Sequence, residues 1–433
     1  GNTFGGAGAG ISLHTGADAY RVQQNWICGN YSQGDGAGIG HLGRSHNGLI
    51  EDNIIHFNES FAQANPVDGG GIFIGGKPAL QADAVTGLLL SPGSGTVTID
   101  SNLIRGNQAG AGDGGGIRIH QANGEDIANS LDAIGPWYDV NVFNNMINNN
   151  VAGLAGGGIS VQDSLRVVIR NNTVANNDAT ATTALAFDAT DPANTVTKTV
   201  TTPQPAGIVS HLHSLEMAAL MTDVTANIAT DWLTFSDPVL RDDIIYQNRS
   251  FFWLNYDDPA TPNFIETGLF PASCFPNVCD PTVELVDDYT DDLAVLDGIV
   301  DTGLSLTPVF SLLTDATGYP ASNVSGDPGF LNPYFNGGRD NLSIAEFTTL
   351  QTAGAFDEGG NFIQVTYGPL SLIEPGTIAN NNPAGDLLDY HIGLTLTPVG
   401  NGGTTPATGR LSVDFDNEPR PTTGSDIGAD ELP

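Results

Sequence analysis

Three residues beyond a recurring Gly-Ile pair stand His14, Leu42, Gly75, His120, Gln162 and His211, a column whose imidazole and amide groups could bind a sugar or a metal ion. Strand alternation turns this column outward, and Arg118, two residues before His120, shares its face. The expected binding groove is therefore lined by Arg118, His120, Gln162 and His211. With neighbouring strands ~4.8 Å apart, His120 and His211 stand about 10 Å from each other, too far for both to reach one ion through ~2.1 Å bonds. His211 and His213, two apart on one strand, make a tighter metal-ligating pair without a third ligand beside them in the sequence.

Other residue types raise other chemistries. Asp242 and Asp243 are adjacent carboxyls, and a glycosidase needs two at ~5 to 9.5 Å, one with a raised pKa. Asp243 also stands where the repeat otherwise places asparagine, which reads as simple replacement. A polysaccharide lyase needs a base beside a uronate, usually with a cation on its carboxylate. Lysine occurs only at Lys77 and Lys198, both in insertions, so the repeat sets up no Lys/Arg pair. The catalytic candidates are Asp242, Asp243, His120 and His211. Asp287, Asp288, Asp291 and Asp292, with Asp297 and Asp301, offer oxygen ligands to a structural calcium ion, but without the glycine spacing of an EF-hand; a solvated acidic loop is the alternative reading. No other feature requires a cofactor. Cys274 and Cys279 could close a small disulfide loop in an oxidising compartment, while Cys28 reads as a plain strand residue.

The elements that must position these groups come from one repeat. Gly-Ile pairs end at Ile11, Ile39, Ile72, Ile117, Ile159 and Ile208. Two asparagine columns follow, five residues apart. The first is Asn25, Asn53, Asn102, Asn145 and Asn172, with Asp243 as its sixth member. The second is Asn30, Asn58, Asn107, Asn150, Asn177 and Asn248. Val22, Ile50, Ile99, Val142, Ile169 and Leu240 stand three residues before the first column, and Ile27, Ile55, Ile104, Ile147, Val174 and Ile245 two residues after it. Aliphatic residues at fixed offsets among polar ones predict short strands with one face inward, stacked in vertical columns. The shortest complete unit is 28 residues. Asparagine suits the corners because it tolerates a left-handed backbone and its amide both donates and accepts. Runs such as Gly69-Gly70-Gly71 permit positive φ and close approach of successive units; since they recur and no helix follows, they are not a phosphate cradle. The pattern predicts an all-β, right-handed parallel β-helix, a solenoid with loop and short-helix insertions.

Six regular coils are expected over residues 1–250. Their insertions fall near 75–95, 121–138, 178–205 and 214–237. Three of these leave the same edge after the first strand, so they must cluster in space. Helical spacing marks Glu125–Leu131 and Leu215–Met221 within them, as shields of the flank or walls of a groove. Residues 251–326 read as a Pro- and Asp-rich excursion or subdomain, and 327–433 as terminal coils with an insertion and a closing segment. Asn2 lies nine residues before Ile11, as Asn30 does before Ile39, and so looks like the end of a preceding coil.

Against 49 acids the chain sets 13 bases, a net charge of −36, so nucleic acid and bare anionic membrane are excluded as partners by Coulomb repulsion. No stretch of ~20 apolar residues predicts a transmembrane segment.

The closing motifs carry a resemblance. Asp327-Pro328-Gly329-Phe330, Asp389-Tyr390-His391-Ile392, Arg420-Pro421 and Asp426-Ile427-Gly428-Ala429-Asp430-Glu431 resemble the last coils of bacterial secreted right-handed β-helix proteins, and the Gly-Gly-x-Ile and Ile-x-x-Asn repeats resemble those of polymorphic outer membrane proteins. The resemblance implies an extracellular or bacterial cell-surface location. The expected function is a structural or interaction module, adhesin-like or assembly-forming, whose partners are other surface proteins, further copies of itself or polysaccharide. The alternative is a carbohydrate-active enzyme, a polysaccharide lyase or glycoside hydrolase, working in a groove beside the inserted loops.

Overall fold

Alternation along each short segment is what builds the sheets. In Asp139–Phe143, Val140 and Val142 are buried while Asp139, Asn141 and Phe143 lie half-buried on the other face, and Arg166–Arg170 repeats the pattern through Val167 and Ile169. In the computed structural model of the chain, the described residues are 7–62, 65–84, 86–257, 265–277, 292–333, 389–393, 398–400, 403, 411–421 and 425–431. The chain is mostly β. Successive units each lay one strand into a first, second, third and fourth sheet before returning to the first.

The first sheet runs Ile11–His14, Ile39–Leu42, Ile72–Gly75, Ile117–His120, Ile159–Gln162, Ile208–His211 and Leu293–Asp297, all parallel, and ends on the antiparallel Val300–Asp301. The repeated isoleucines pair in strict register, Ile11 with Ile39, Ile39 with Ile72 and Ile117 with Ile159. The second sheet stacks Val22, Ile50, Ile99, Val142, Ile169 and Leu240, and the third stacks Ile27, Ile55, Ile104, Ile147, Val174, Ile245 and Leu313. These columns form one continuous core. Each fully buried isoleucine in it, such as Ile50 or Ile147, contributes about 1.5–3 kcal/mol.

At the corners, each ladder asparagine accepts from the backbone N–H and the side-chain amide of its counterpart one unit earlier: Asn53 Oδ1 from Asn25 N and Nδ2, both at 3.0 Å, and Asn107 Oδ1 from Asn58 N and Nδ2 at 3.1 and 2.9 Å. Asn177 continues the second ladder. It is fully buried, its Oδ1 accepts from Asn150 N and Nδ2 at 2.9 and 3.0 Å, and its Nδ2 donates to Asn248 Oδ1 at 2.9 Å. The left-handed backbone expected of the ladder asparagines, Asn172 and Asn177 included, belongs instead to the residue before each. In the first ladder Gln24, Asp52, Ser101, Asn144, Asn171 and Asp242 have φ between 51° and 57°, and in the second Asn176, before Asn177, has φ 54°. The ladder position is selected for its amide, the preceding one for the turn. Glycine is required where the ladder meets the next strand, since a Cβ on Gly71 would lie 2.6 Å from Gly116 O and 3.2 Å from Asn107 Nδ2.

The stacking does not stop at residue 250. Leu293–Asp297 pairs with Ile208–His211, and Leu312–Leu313 and Val324–Ser325 extend the third sheet, so the expected excursion over 251–326 holds further units. Most of their ladder groups are not asparagines: Asp243 passes to Ser311 and then Asn323, and Asn248 passes to Asp292. What does depart from the pattern is an antiparallel ribbon, Arg249–Asp257 paired on one side with Ile265–Pro271 and on the other with Lys198–Val200. The insertion near 178–205 thus supplies a strand to that ribbon.

The three insertions expected to cluster do so. Helix α1 (Glu125–Ala128), shorter than its sequence pattern, and helix α2 (Leu215–Met221) join Leu90, Trp137 and Leu165 in a second hydrophobic core. Ser214 caps α2 by accepting from Met217 N.

The closing motifs do not continue the stack. Phe330–Asn332 and Asp389–Ile392 pair antiparallel with each other, and the segment 425–431 lies against the flank of the third sheet, where Ala429 N donates to Thr173 Oγ1 at 3.2 Å. Tyr390 is fully buried with Met146, Ala175 and Ala429. Its hydroxyl donates to Asn149 Oδ1 at 2.9 Å and accepts from Asn176 Nδ2 at 3.0 Å. Arg420 spans Glu431 and the carbonyls of Gly428 and Ala429, reaching Asn144 as well. The corner asparagines that precede the ladder are what this clasp grips. Among the described residues no helix is long and apolar enough to cross a membrane.

Candidate functional site

The outward face of the first sheet carries the expected column, and its side chains converge. Arg118 donates through Nη1 to Ser160 Oγ at 2.5 Å and through Nη2 to Gln162 Oε1 at 2.9 Å. Ser160 Oγ lies 3.1 Å from His211 Nε2, and Gln162 Nε2 donates to Leu212 O at 3.3 Å. His120 pairs in register with Gln162. The four groove residues are neighbours, but Arg118 and His211 are buried.

Burial follows from a carboxylate column that the repeat offsets also carry. Asp35, Asp68 and Asp113 each stand four residues before the repeated isoleucine in three successive units, a signal the glycine runs overshadow. Asp35 Oδ1 accepts from Asp68 N, Asp68 Oδ1 from Asp113 N, and Asp113 Oδ1 from Ala155 N, each at 2.9 Å. The remaining oxygens face the cation. Arg118 lies 3.4 Å from both Asp68 and Asp113, and His211 Nε2 is 3.3 Å from Asp113 Oδ2.

The electrostatics of this network set its chemistry. Burial, reinforced by Arg118, lowers His120 to about 4 and His211 to about 3, so both imidazoles are neutral at physiological pH. Burial raises Asp113, opposed by Arg118. Asp35 is pushed up to about 7, by burial first and by the Asp68 charge second. Across one strand spacing of ~4.8 Å, then, a carboxyl that titrates near neutrality faces a second carboxyl.

The other sequence candidates are placed elsewhere. His213 Nδ1 lies 3.3 Å from Asp163 and its Nε2 bonds Trp232 O at 3.0 Å, so His211 and His213 serve different carboxylates and anchor different elements. Asp163 also accepts from Ser214 N, tying α2 to the first sheet. Asp242 occupies the left-handed corner, 3.4 Å from Arg241. Asp243 accepts from Asn172 N at 2.8 Å and from Arg241 N at 2.9 Å; burial drives its carboxyl up to about 7. Asp292 sits in the second ladder, two units beyond Asn177, accepting from Asn248 Nδ2 at 2.8 Å, and not in an ion-binding loop. Asp287, Asp288, Asp291 and Cys279 lie outside the described residues. Cys274 is disulfide-bonded and Cys28 is a free, exposed thiol.

Compared with known proteins, the chain matches no family model, no curated protein and no solved structure.

Proposed function

We propose that the chain is a right-handed parallel β-helix serving as a structural and interaction module at a bacterial cell surface. The observation that carries this reading is the closure of the outward network: the guanidinium of Arg118 is consumed by Asp68, Asp113, Ser160 and Gln162, and His211 by Asp113 and Ser160. Groups already paired with one another and shielded from water brace a surface; they do not stand ready to abstract a proton from a substrate. The disulfide at Cys274 supports an oxidising compartment. The excess of carboxylates keeps a strand-rich chain from associating edge to edge without design. Incubation with neutral and acidic polysaccharides, with and without chelator, should produce neither new reducing ends nor unsaturated products.

A second reading rests on Asp35 beside Asp68. Asp35, whose carboxyl is pushed up to about 7, accepts from Asp68 N at 2.9 Å and so stands beside a second carboxyl, and two neighbouring carboxyls are what a glycoside hydrolase needs. Release of reducing ends that Asp35→Asn and Asp68→Asn both abolish would establish this activity and displace the structural reading.

A further inference from the structure

His391 and Asp430 come from two of the closing motifs, Asp416 from the stretch just before Arg420, and the three meet in the C-terminal clasp. One ligand atom from each lies within 4.8 Å of the others. His391 is held on two sides. Its Nδ1 is 2.5 Å from Asp389 Oδ1, and its ring meets Phe415 edge to face at 5.7 Å. That leaves Nε2, which stands 3.0 Å from Asp416 Oδ2 but makes no hydrogen bond and is itself buried. Asp430 is fixed by accepting from Ile392 N at 2.8 Å.

The neighbouring acids are already committed. Asp414 accepts from Asp416 N, Glu418 N and Glu431 N, and Glu431 is paired with Arg420 at 3.0 Å. Among the described residues, His391, Asp416 and Asp430 therefore stand apart as one imidazole nitrogen and two carboxylates that converge without a lysine or arginine ion pair between them. A carboxylate on the far nitrogen of an imidazole is the outer support that fixes a metal-ligating histidine in its tautomer.

We propose that His391 Nε2, Asp416 and Asp430 bind one divalent transition-metal ion, zinc by preference, which locks the C-terminal clasp. A mixed nitrogen and oxygen set of three suits a four-coordinate ion with bonds of ~2.0–2.2 Å and water in the last position. Calcium, which takes six to eight oxygens, is the wrong ion for it. Asp416 is half-exposed and gives the ion its way in.

The test uses the full chain carrying Cys28→Ser, which removes the free thiol, stripped with chelator and dialysed. Titration with zinc chloride by calorimetry should give one equivalent per chain, and cobalt(II) should give the visible absorption of a low-symmetry site. His391→Ala and Asp416→Asn should each weaken binding at least about tenfold, and Asp389→Asn by less, with His14→Ala unchanged. Unaltered circular dichroism would show that the variants fold. No heat and no cobalt spectrum, zinc binding that survives both His391→Ala and Asp416→Asn, or calcium taken in preference to zinc would each overturn the proposal.

Discussion

Asn172 Nδ2 donates to Asp243 Oδ1 at 3.1 Å, the point at which a ladder of amides passes to a carboxyl. The second ladder makes the same passage one unit later: Asn177 still donates to an amide, that of Asn248, and Asn248 then donates to Asp292 at 2.8 Å. Both acids are buried, and burial raises them to about 7 and about 6.

Stability should therefore carry a pH signature at Asp243. Its folded pKa lies above the usual carboxylate value of 3.8, so the folded state holds the proton longer than the unfolded chain does. The contribution is intact below about pH 4 and is lost as pH rises to about 7. Asp243→Asn keeps the acceptor for Asn172 and removes the titration. Denaturant unfolding at pH 4.5 and 8 should show the variant gaining on the parent at the higher pH, by on the order of 2–4 kcal/mol.

His211 should act with the opposite sign. Its folded pKa of about 3 lies below the ordinary 6.5, so the unfolded chain protonates first and stability falls as pH drops from about 6.5 towards 3. His211→Gln, which can still bond Ser160, should flatten that acid limb in unfolding curves taken between those limits.

Ladder position should grade the cost of losing an asparagine. Asn107→Ala strands the backbone N–H of Asn58, takes one of two acceptors from the Asn58 amide, and removes the amide donor from Asn150 Oδ1, which keeps the backbone N–H, and from Ile55 O, all in the interior. It should cost about 2–5 kcal/mol in equilibrium unfolding. Asn25→Ala, at the exposed end of the same architecture, should cost about 1 kcal/mol or less.

A methyl group should distinguish the glycines. Gly71→Ala drives a Cβ against Gly116 O at 2.6 Å and should lower the melting temperature by several degrees, about 2 kcal/mol or more. Gly135→Ala meets nothing within 4 Å and should leave it unchanged.

The clasp should loosen when one oxygen is removed. Tyr390→Phe loses the bonds to Asn149 and Asn176 while keeping the buried ring, for about 1–2 kcal/mol. Faster amide exchange confined to residues near 390 and 425–431, with the stacked sheets unchanged, is the expected readout.

Much of the stacked core is legible in the sequence, because a strand's periodicity of two and a fixed repeat leave few ways to bury Ile50, Ile99 and Val142 together. The ladder from Asn25 to Asn172 and from Asn30 to Asn177 is legible for the same reason. The units beyond residue 250 are not, since Asp292 and Ser311 supply the ladder's acceptors without being asparagine. Arg118, His120, Gln162 and His211 do share one face, as strand alternation requires. Their pairing with Asp68 and Asp113 escapes the strand pattern because the column of acids lies in the preceding turn, where glycine dominates the spacing.

What the sequence by itself determined is the set of repeating offsets, and hence the strands, their inward faces and their register, since these follow from local alternation and from identical residues stacking on identical residues. Tertiary structure alone decided which outward side chains neutralise one another and where the closing motifs dock. Those outcomes depend on contacts such as Asn176 with Tyr390 or Arg118 with Asp113, between residues that no repeat relates, and only the folded chain sets their distance and their exclusion from water.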